Sequence, residues 1–162
     1  MTMSIRIGKL YLAYGSNMNQ EQMKQRCPTA ELKGKALLKG YRLCFKGIPL
    51  NGVATIEPDE QSSVPVLIWL IYEKDEDYLD LYEGYPRLYR KETLEVDWLG
   101  EPTKIMAYIM NSEMFCNAMP AKAYYQTIAQ GYKDAGFDLN ILRDAALSAS
   151  KMTFFEQEQN YE

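Results

Sequence analysis

The run VPVLIWLIYE, residues 64–73, is the most apolar and β-branched stretch of the chain. Val, Ile and Trp suit a pleated, buried surface, so the run predicts a strand at the centre of a sheet. The rest of the chain then has to supply that sheet's neighbours.

Those neighbours can be read in order. In KLYLAYGSNMN, residues 10–14 form a short, aromatic, uncharged run bounded by Gly15, Ser16 and Asn17, the pattern of a buried strand that stops abruptly. Asn19 can cap a helix through about Arg26, which Pro28 prevents from continuing. ELKGKALLKG, YRLCFKG and GVATIEP predict three strands separated by Gly34, Gly40, Gly47, Pro49 and Pro58. KDEDYLDLYEGYP changes to a helical period, with Tyr78, Leu79 and Tyr82 on one face, Asp75 as a candidate cap and Gly84 at the position of a left-handed C-terminal cap. That helix should end at Glu83.

YRKETLEVDWLGEP alternates Leu94, Val96 and Trp98 against polar residues, then turns at Gly100, Glu101 and Pro102 into TKIMAYIM, which predicts a hairpin. PAKAYYQTIAQGYKDAGFD, stopping near Gly136, and LNILRDAALSASK are helical in pattern; the tail MTFFEQEQNYE fits either a packed helical end or a frayed one. The order of elements predicts an α+β fold: a small mixed, largely antiparallel β-barrel or roll with flanking helices. At 162 residues the simplest organisation is one domain over 1–162, with about 150–162 open as an additional tail.

The absence of histidine narrows the chemistry most. It excludes Ser-His and Cys-His pairs, His-ligated zinc and an imidazole proton shuttle. Carboxylates, lysines, backbone amides and 13 tyrosines remain. Cys27, Cys44 and Cys116 are odd in number and far apart, which argues against a disulfide framework. A net charge of -4 gives no electrostatic reason for a nucleic-acid or membrane partner, and no apolar run reaches the ~18 residues of a membrane span. The N-terminal MTMSIRIGK lacks the apolar region of a secretory signal, so a cytoplasmic location is expected.

Two places could carry chemistry. Residues 14–17 could turn several backbone N–H groups toward one point and hold a carboxylate or a developing oxyanion, or they could be ordinary turn residues. Glu83, in the last turn of its helix, faces the negative end of the macrodipole, and Tyr82, Tyr85 and Tyr89 could shield it from water; both effects raise a carboxyl pKa toward that of a general base. Equally, Glu83 could be one acid among several on a solvated helix. Tyr124 and Tyr125 fit a pocket or a core, Cys116 is a conceivable nucleophile without a basic neighbour, and Arg87, Arg90 and Lys91 could meet a substrate carboxylate or flank an exposed strand.

Three segments together resemble the γ-glutamylcyclotransferase (AIG2-like) family: YLAYGSNM its N-terminal binding loop, LDLYEGYPRLYRK the segment with its catalytic glutamate, and PAKAYYQTIAQGYKDAGFD its C-terminal helix signature. The likeness runs in order from about Lys9 to Asp138. It implies that Tyr14, Gly15, Ser16 and Asn17 hold a γ-glutamyl moiety, that Glu83 is the general acid/base, and that Tyr89 and Tyr124 are pocket tyrosines. It also implies a cofactor-independent cyclisation of a small-molecule γ-glutamyl compound to 5-oxoproline. The sequence departs from the family's pattern in GYPRLY and at Tyr132, where a small Ala is common. A non-catalytic module that binds γ-glutamyl or acidic metabolites, and an enzyme restricted to γ-glutamylamines, are the competing readings.

Overall fold

The computed structural model describes residues 7–159, with side chains described through residue 150. Its centre is a six-stranded sheet: β1 (Lys9–Ala13), β2 (Glu31–Ile48), β3 (Asn51–Ile71), β4 (Tyr89–Trp98), β5 (Glu101–Met110) and β6 (Cys116–Asn117). The order across the sheet is β4-β5-β1-β3-β2-β6. β1 runs parallel to β5, and the other neighbours pair antiparallel. Four helices flank it: α1 (Gln20–Arg26), α2 (Glu73–Glu83), α3 (Lys122–Ala135) and α4 (Leu139–Gln159).

The apolar run at 64–73 does occupy the middle. Ile68 is opposite Leu12 of β1 on one side and Gly34 of β2 on the other. Val64, Val66, Leu67, Ile68, Trp69 and Ile71 are all buried, because helices and the curl of the sheet cover both of its faces.

The three strands expected between residues 31 and 58 are instead parts of two long ones. β2 continues through Gly34 and Gly40, where the ladder shifts register between Leu32 and Gly34 and again between Lys39 and Tyr41. These glycines mark bulges, which bend and twist a strand without ending it. β3 likewise continues through Pro58 beside the second bulge, into the central run.

The twist brings distant strands together. Trp98, at the end of β4, lies so close to Gly34 of β2 that a Cβ there would sit 2.8 Å from its ring. β4 and β2 are four places apart in the sheet, so this contact curls it into a half-barrel. The β4–β5 hairpin turns at Leu99 and Gly100, both with positive φ, and Glu101 and Pro102 already pair with Trp98 and Asp97. The turn therefore lies one residue earlier than its Gly-Glu-Pro composition suggested.

Helix α2 ends at Glu83 with Gly84 left-handed at φ 65, as its local signals predict. Asp75 is not the first cap but the third helical residue. Its buried carboxylate reaches back to the Tyr72 N–H at 3.0 Å and accepts from the Thr29 hydroxyl at 2.7 Å. Of the face expected from Tyr78, Leu79 and Tyr82, only Leu79 is buried. α3 crosses the segment after β1 at Gly131, where a Cβ would meet the Met18 carbonyl carbon and oxygen at 2.6 Å. The backbone of α4 runs to Gln159, and the packing of the tail MTFFEQEQNYE lies outside the described residues. Among the described residues no helix is long and apolar enough to cross a membrane.

Candidate active site

β1 stops at Ala13 because the chain turns into a single 3-10 turn over Ser16–Met18. The first bond of that turn runs from the Met18 N–H to the Gly15 carbonyl at 2.9 Å. The N–H groups of Ser16 and Asn17 precede this ladder and are not claimed by it. Gly15 keeps the approach open: a Cβ there would press on Ala54 Cβ at 3.1 Å and reach within 3.6 Å of the Tyr124 hydroxyl.

The turn is fixed by more than turn chemistry. Asn17 Nδ2 donates to the Tyr11 hydroxyl at 2.9 Å, its Oδ1 accepts from Arg26, and its carbonyl accepts from the Trp69 indole at 3.1 Å. The Tyr14 hydroxyl donates to the Tyr108 carbonyl at 2.5 Å. Since Asn17 and Ser16 are both buried, these bonds hold the backbone in one conformation at low dielectric.

Facing the turn across a cavity of about 200 Å³ is the end of α2, with Tyr82 and Glu83. Tyr89 from the start of β4, Tyr124 from the first turn of α3 and Ala54 from β3 are also in its walls. The Tyr89 hydroxyl donates to the Ala54 carbonyl at 2.6 Å, and the Tyr124 hydroxyl accepts from the Ala54 N–H at 3.0 Å. The backbone of one residue, Ala54, thus holds two phenols in place. Because the Tyr124 oxygen is acting as acceptor, its own proton remains available to a ligand. The seven residues that the family resemblance implied, Tyr14, Gly15, Ser16, Asn17, Glu83, Tyr89 and Tyr124, all line this one cavity.

Burial pushes the Glu83 carboxyl up to about 7, and the positive charge of Arg26 pulls in the opposite direction. No hydrogen bond from a described residue stabilises its ionised form. The side chain is partly accessible through the cavity while its surroundings are protein, so desolvation dominates. Burial, with the negative charge of Glu83, raises the phenols of Tyr11, Tyr14, Tyr89 and Tyr124 above their ordinary range and keeps them protonated.

Other candidates fall away. Tyr85 is outside the cavity wall and meets the Tyr108 ring edge-on, so it is not among the groups that shield Glu83. Tyr125 packs against the core. Cys116 is exposed and away from the cavity, and burial pushes the Cys27 and Cys44 thiols up to about 12 and about 11. Arg90 pairs with Glu92, and Lys91 with Glu76 and Asp80. Among the described residues no group of three acidic or cysteine side chains could hold a metal.

Sequence reasoning named Tyr82 as a shield of Glu83, and it does line the cavity, but it missed Tyr11, Tyr108 and Arg26. The tyrosines alternate with core positions and read as core, and Arg26 reads as an ordinary basic residue in a last helical turn.

Residues 11–131 match the family model described as gamma-glutamyl cyclotransferase, AIG2-like. A solved structure titled gamma-glutamyl cyclotransferase superposes with TM-score 0.76 at 25% identity, over 86% of each chain. An uncharacterized human protein superposes at 0.74 with 26% identity, over 85% of this chain and 86% of that one. A yeast gamma-glutamyl cyclotransferase titled as specific to glutathione shares the fold at 0.62 with 13% identity, over 89% of this chain and 96% of that one. Among curated proteins none matches the sequence significantly. With the family model spanning most of the chain and the curled mixed sheet shared, this protein belongs to the γ-glutamyl cyclotransferase, AIG2-like family.

Proposed function

We propose that the protein is a γ-glutamyl cyclotransferase that closes a γ-glutamyl compound to 5-oxoproline and releases an amine or amino acid. The observation that carries this reading is the shared cavity: a desolvated carboxylate, Glu83, faces a turn whose leading N–H groups are unclaimed.

The chemistry needs no nucleophile from the protein. Glu83, as carboxylate, takes a proton from the substrate's α-ammonium group, and the freed amine attacks the substrate's own γ-carbonyl carbon. A C–N bond forms, and the carbonyl electrons move onto oxygen. The N–H groups of Ser16 and Asn17 are suited to hold that oxyanion; one well-placed donor contributes about 3 kcal/mol. The protonated Glu83 then gives its proton to the departing nitrogen, the carbonyl re-forms as the old amide bond breaks, and the remaining extra proton on the ring nitrogen passes to the released amine, leaving neutral 5-oxoproline, an ammonium product and Glu83 as carboxylate.

A carboxyl titrating near neutrality can serve in both directions. Alignment within the cavity supplies the other large share, since effective molarities for well-oriented ring closures reach ~10⁵ M or more. Tyr89 and Tyr124, held on Ala54, would orient the glutamyl portion. The setting proposed is the cytoplasm, to which three free thiols are suited.

The test is release of 5-oxoproline from a panel of γ-glutamyl dipeptides and γ-glutamylamines, with Glu83→Gln as control. Turnover by the native chain and not by the variant supports the reading. Ligand binding without turnover across the panel would make the protein a binding module instead.

A further inference from the structure

Arg26 ends α1, outside the cavity wall, yet it touches both halves of the site. Its Nη1 donates to Asn17 Oδ1 and its Nη2 to Gln22 Oε1 at 3.2 Å. The guanidinium carbon lies 3.3 Å from the centroid of the Tyr82 ring. Tyr82 immediately precedes Glu83, and its hydroxyl meets Ser16 Oγ at 3.0 Å. The turn and the base are therefore joined twice: through Asn17, Arg26 and the Tyr82 ring, and through Ser16 and the Tyr82 hydroxyl.

We propose that Arg26 is a positioning residue, clasping the 15–18 turn to the end of α2 so that the N–H donors and the Glu83 carboxylate keep one fixed separation. The inference rests on the function proposed above. A planar fork is what the position requires, because one face stacks on an aromatic ring while the edge donates to two amides. Lysine can supply the charge but not that geometry.

The charge has its own effect. Arg26 spends its hydrogen bonds on side-chain amides, so among the described residues no carboxylate cancels it at contact, and it acts on Glu83 at longer range. The cavity around Glu83 is lined by tyrosines: Tyr11 and Tyr14 from β1 and its end, Tyr82 on its own helix, Tyr89 from β4, Tyr108 from β5 and Tyr124 from α3. Asp80, one turn earlier on α2, is paired with Lys91. Arg26 is thus the group opposing desolvation, and it keeps more of Glu83 in the form that accepts a proton.

The experiment compares Arg26→Met and Arg26→Lys with the native full-length chain. It uses two readouts: the pH profile of 5-oxoproline release, and the titration of the Glu83 carboxyl carbon by NMR, which needs no turnover. Arg26→Met should lower kcat at neutral pH tenfold to a hundredfold, the scale of about a 1 Å misplacement, and move the Glu83 midpoint to higher pH. Arg26→Lys should return the midpoint toward its native value and leave most of the kcat loss. An unmoved midpoint in Arg26→Met, or full recovery of kcat by lysine, overturns the inference. If Arg26→Met does not fold, the lysine variant decides the clasp by its kcat. A native chain inactive on every substrate sinks the proposed function, while the NMR arm still decides whether Arg26 acts on Glu83.

Discussion

The hydroxyls of Ser16 and Tyr82 meet at 3.0 Å although 66 positions of sequence separate them. That contact sets the residue next to Glu83 against the turn that ends β1. A carboxylate and a set of amide donors therefore share one hollow, although they come from distant parts of the sequence. Both are costly to folding: the acid is desolvated, and among the described residues nothing bonds the Ser16 and Asn17 N–H groups.

Glu83→Gln keeps the shape of that hollow and removes its base. The expected result is a fall in kcat of about 10²–10⁴, the usual share of a general base, with ligand affinity by calorimetry changed little. Turnover equal to the native protein's would remove Glu83 from the mechanism.

The same carboxyl should govern the pH response. With its folded value near 7, kcat/KM should rise with pH through about 7 as the base form is populated. A profile flat from pH 5 to 8 in steady-state assays contradicts this.

Stability should move the other way. Glu83 titrates near 4.5 when unfolded and near 7 when folded, so between those values the folded chain holds more protons and loses stability as pH rises. The cost is absent below the lower value and complete above the upper one, where it reaches at most about 3 kcal/mol. Glu83→Gln should therefore raise the thermal midpoint at pH 8 and leave it nearly unchanged at pH 4. Equal shifts at both values would contradict the burial argument.

Gly131→Ala sets two effects against each other. Alanine favours a helix by about 1 kcal/mol over glycine. The new methyl, however, would lie 2.6 Å from the backbone of the fully buried Met18, and such overpacking costs about 1–3 kcal/mol. Met18 belongs to the turn itself, so the second effect should win and activity should fall with stability. Denaturation and turnover measured together check it; a more stable, fully active variant would show that the turn yields without consequence.

Tyr132→Phe should stabilise. Tyr132 is fully buried against Phe137, and its hydroxyl has no hydrogen-bond partner among the described residues. Deleting that oxygen removes an uncompensated desolvation and should add about 1 kcal/mol in chemical denaturation, without effect on turnover. A loss of stability would mean that the hydroxyl is satisfied in solution.

What the sequence revealed follows from how local each signal is. The end of α2 was readable because Gly84 supplies a left-handed cap within one turn of Glu83. The central strand was readable because Val64 to Ile71 is an unbroken apolar run, and nearly all of it is buried. The long β2–β3 ribbon was not: Gly34, Gly40 and Pro58 serve bulges there, and in sequence a bulge and a turn use the same residues. Asp75 was assigned a cap one turn too literally, since the side chain reaches back to Tyr72 from inside the helix. In the site, the turn and Glu83 carried short motifs, whereas Arg26 acquires its neighbours only when α1, α2 and the turn are packed together.

Among the described residues the cavity wall contains neither cysteine nor lysine. Alkylating and oxidising reagents that silence thiol enzymes would consume the exposed Cys116 on the outer surface and leave the proposed catalytic groups untouched. On the proposed mechanism, the protein should keep working under oxidative insult. Blocking it calls for reversible mimics of the closing ring rather than electrophilic warheads.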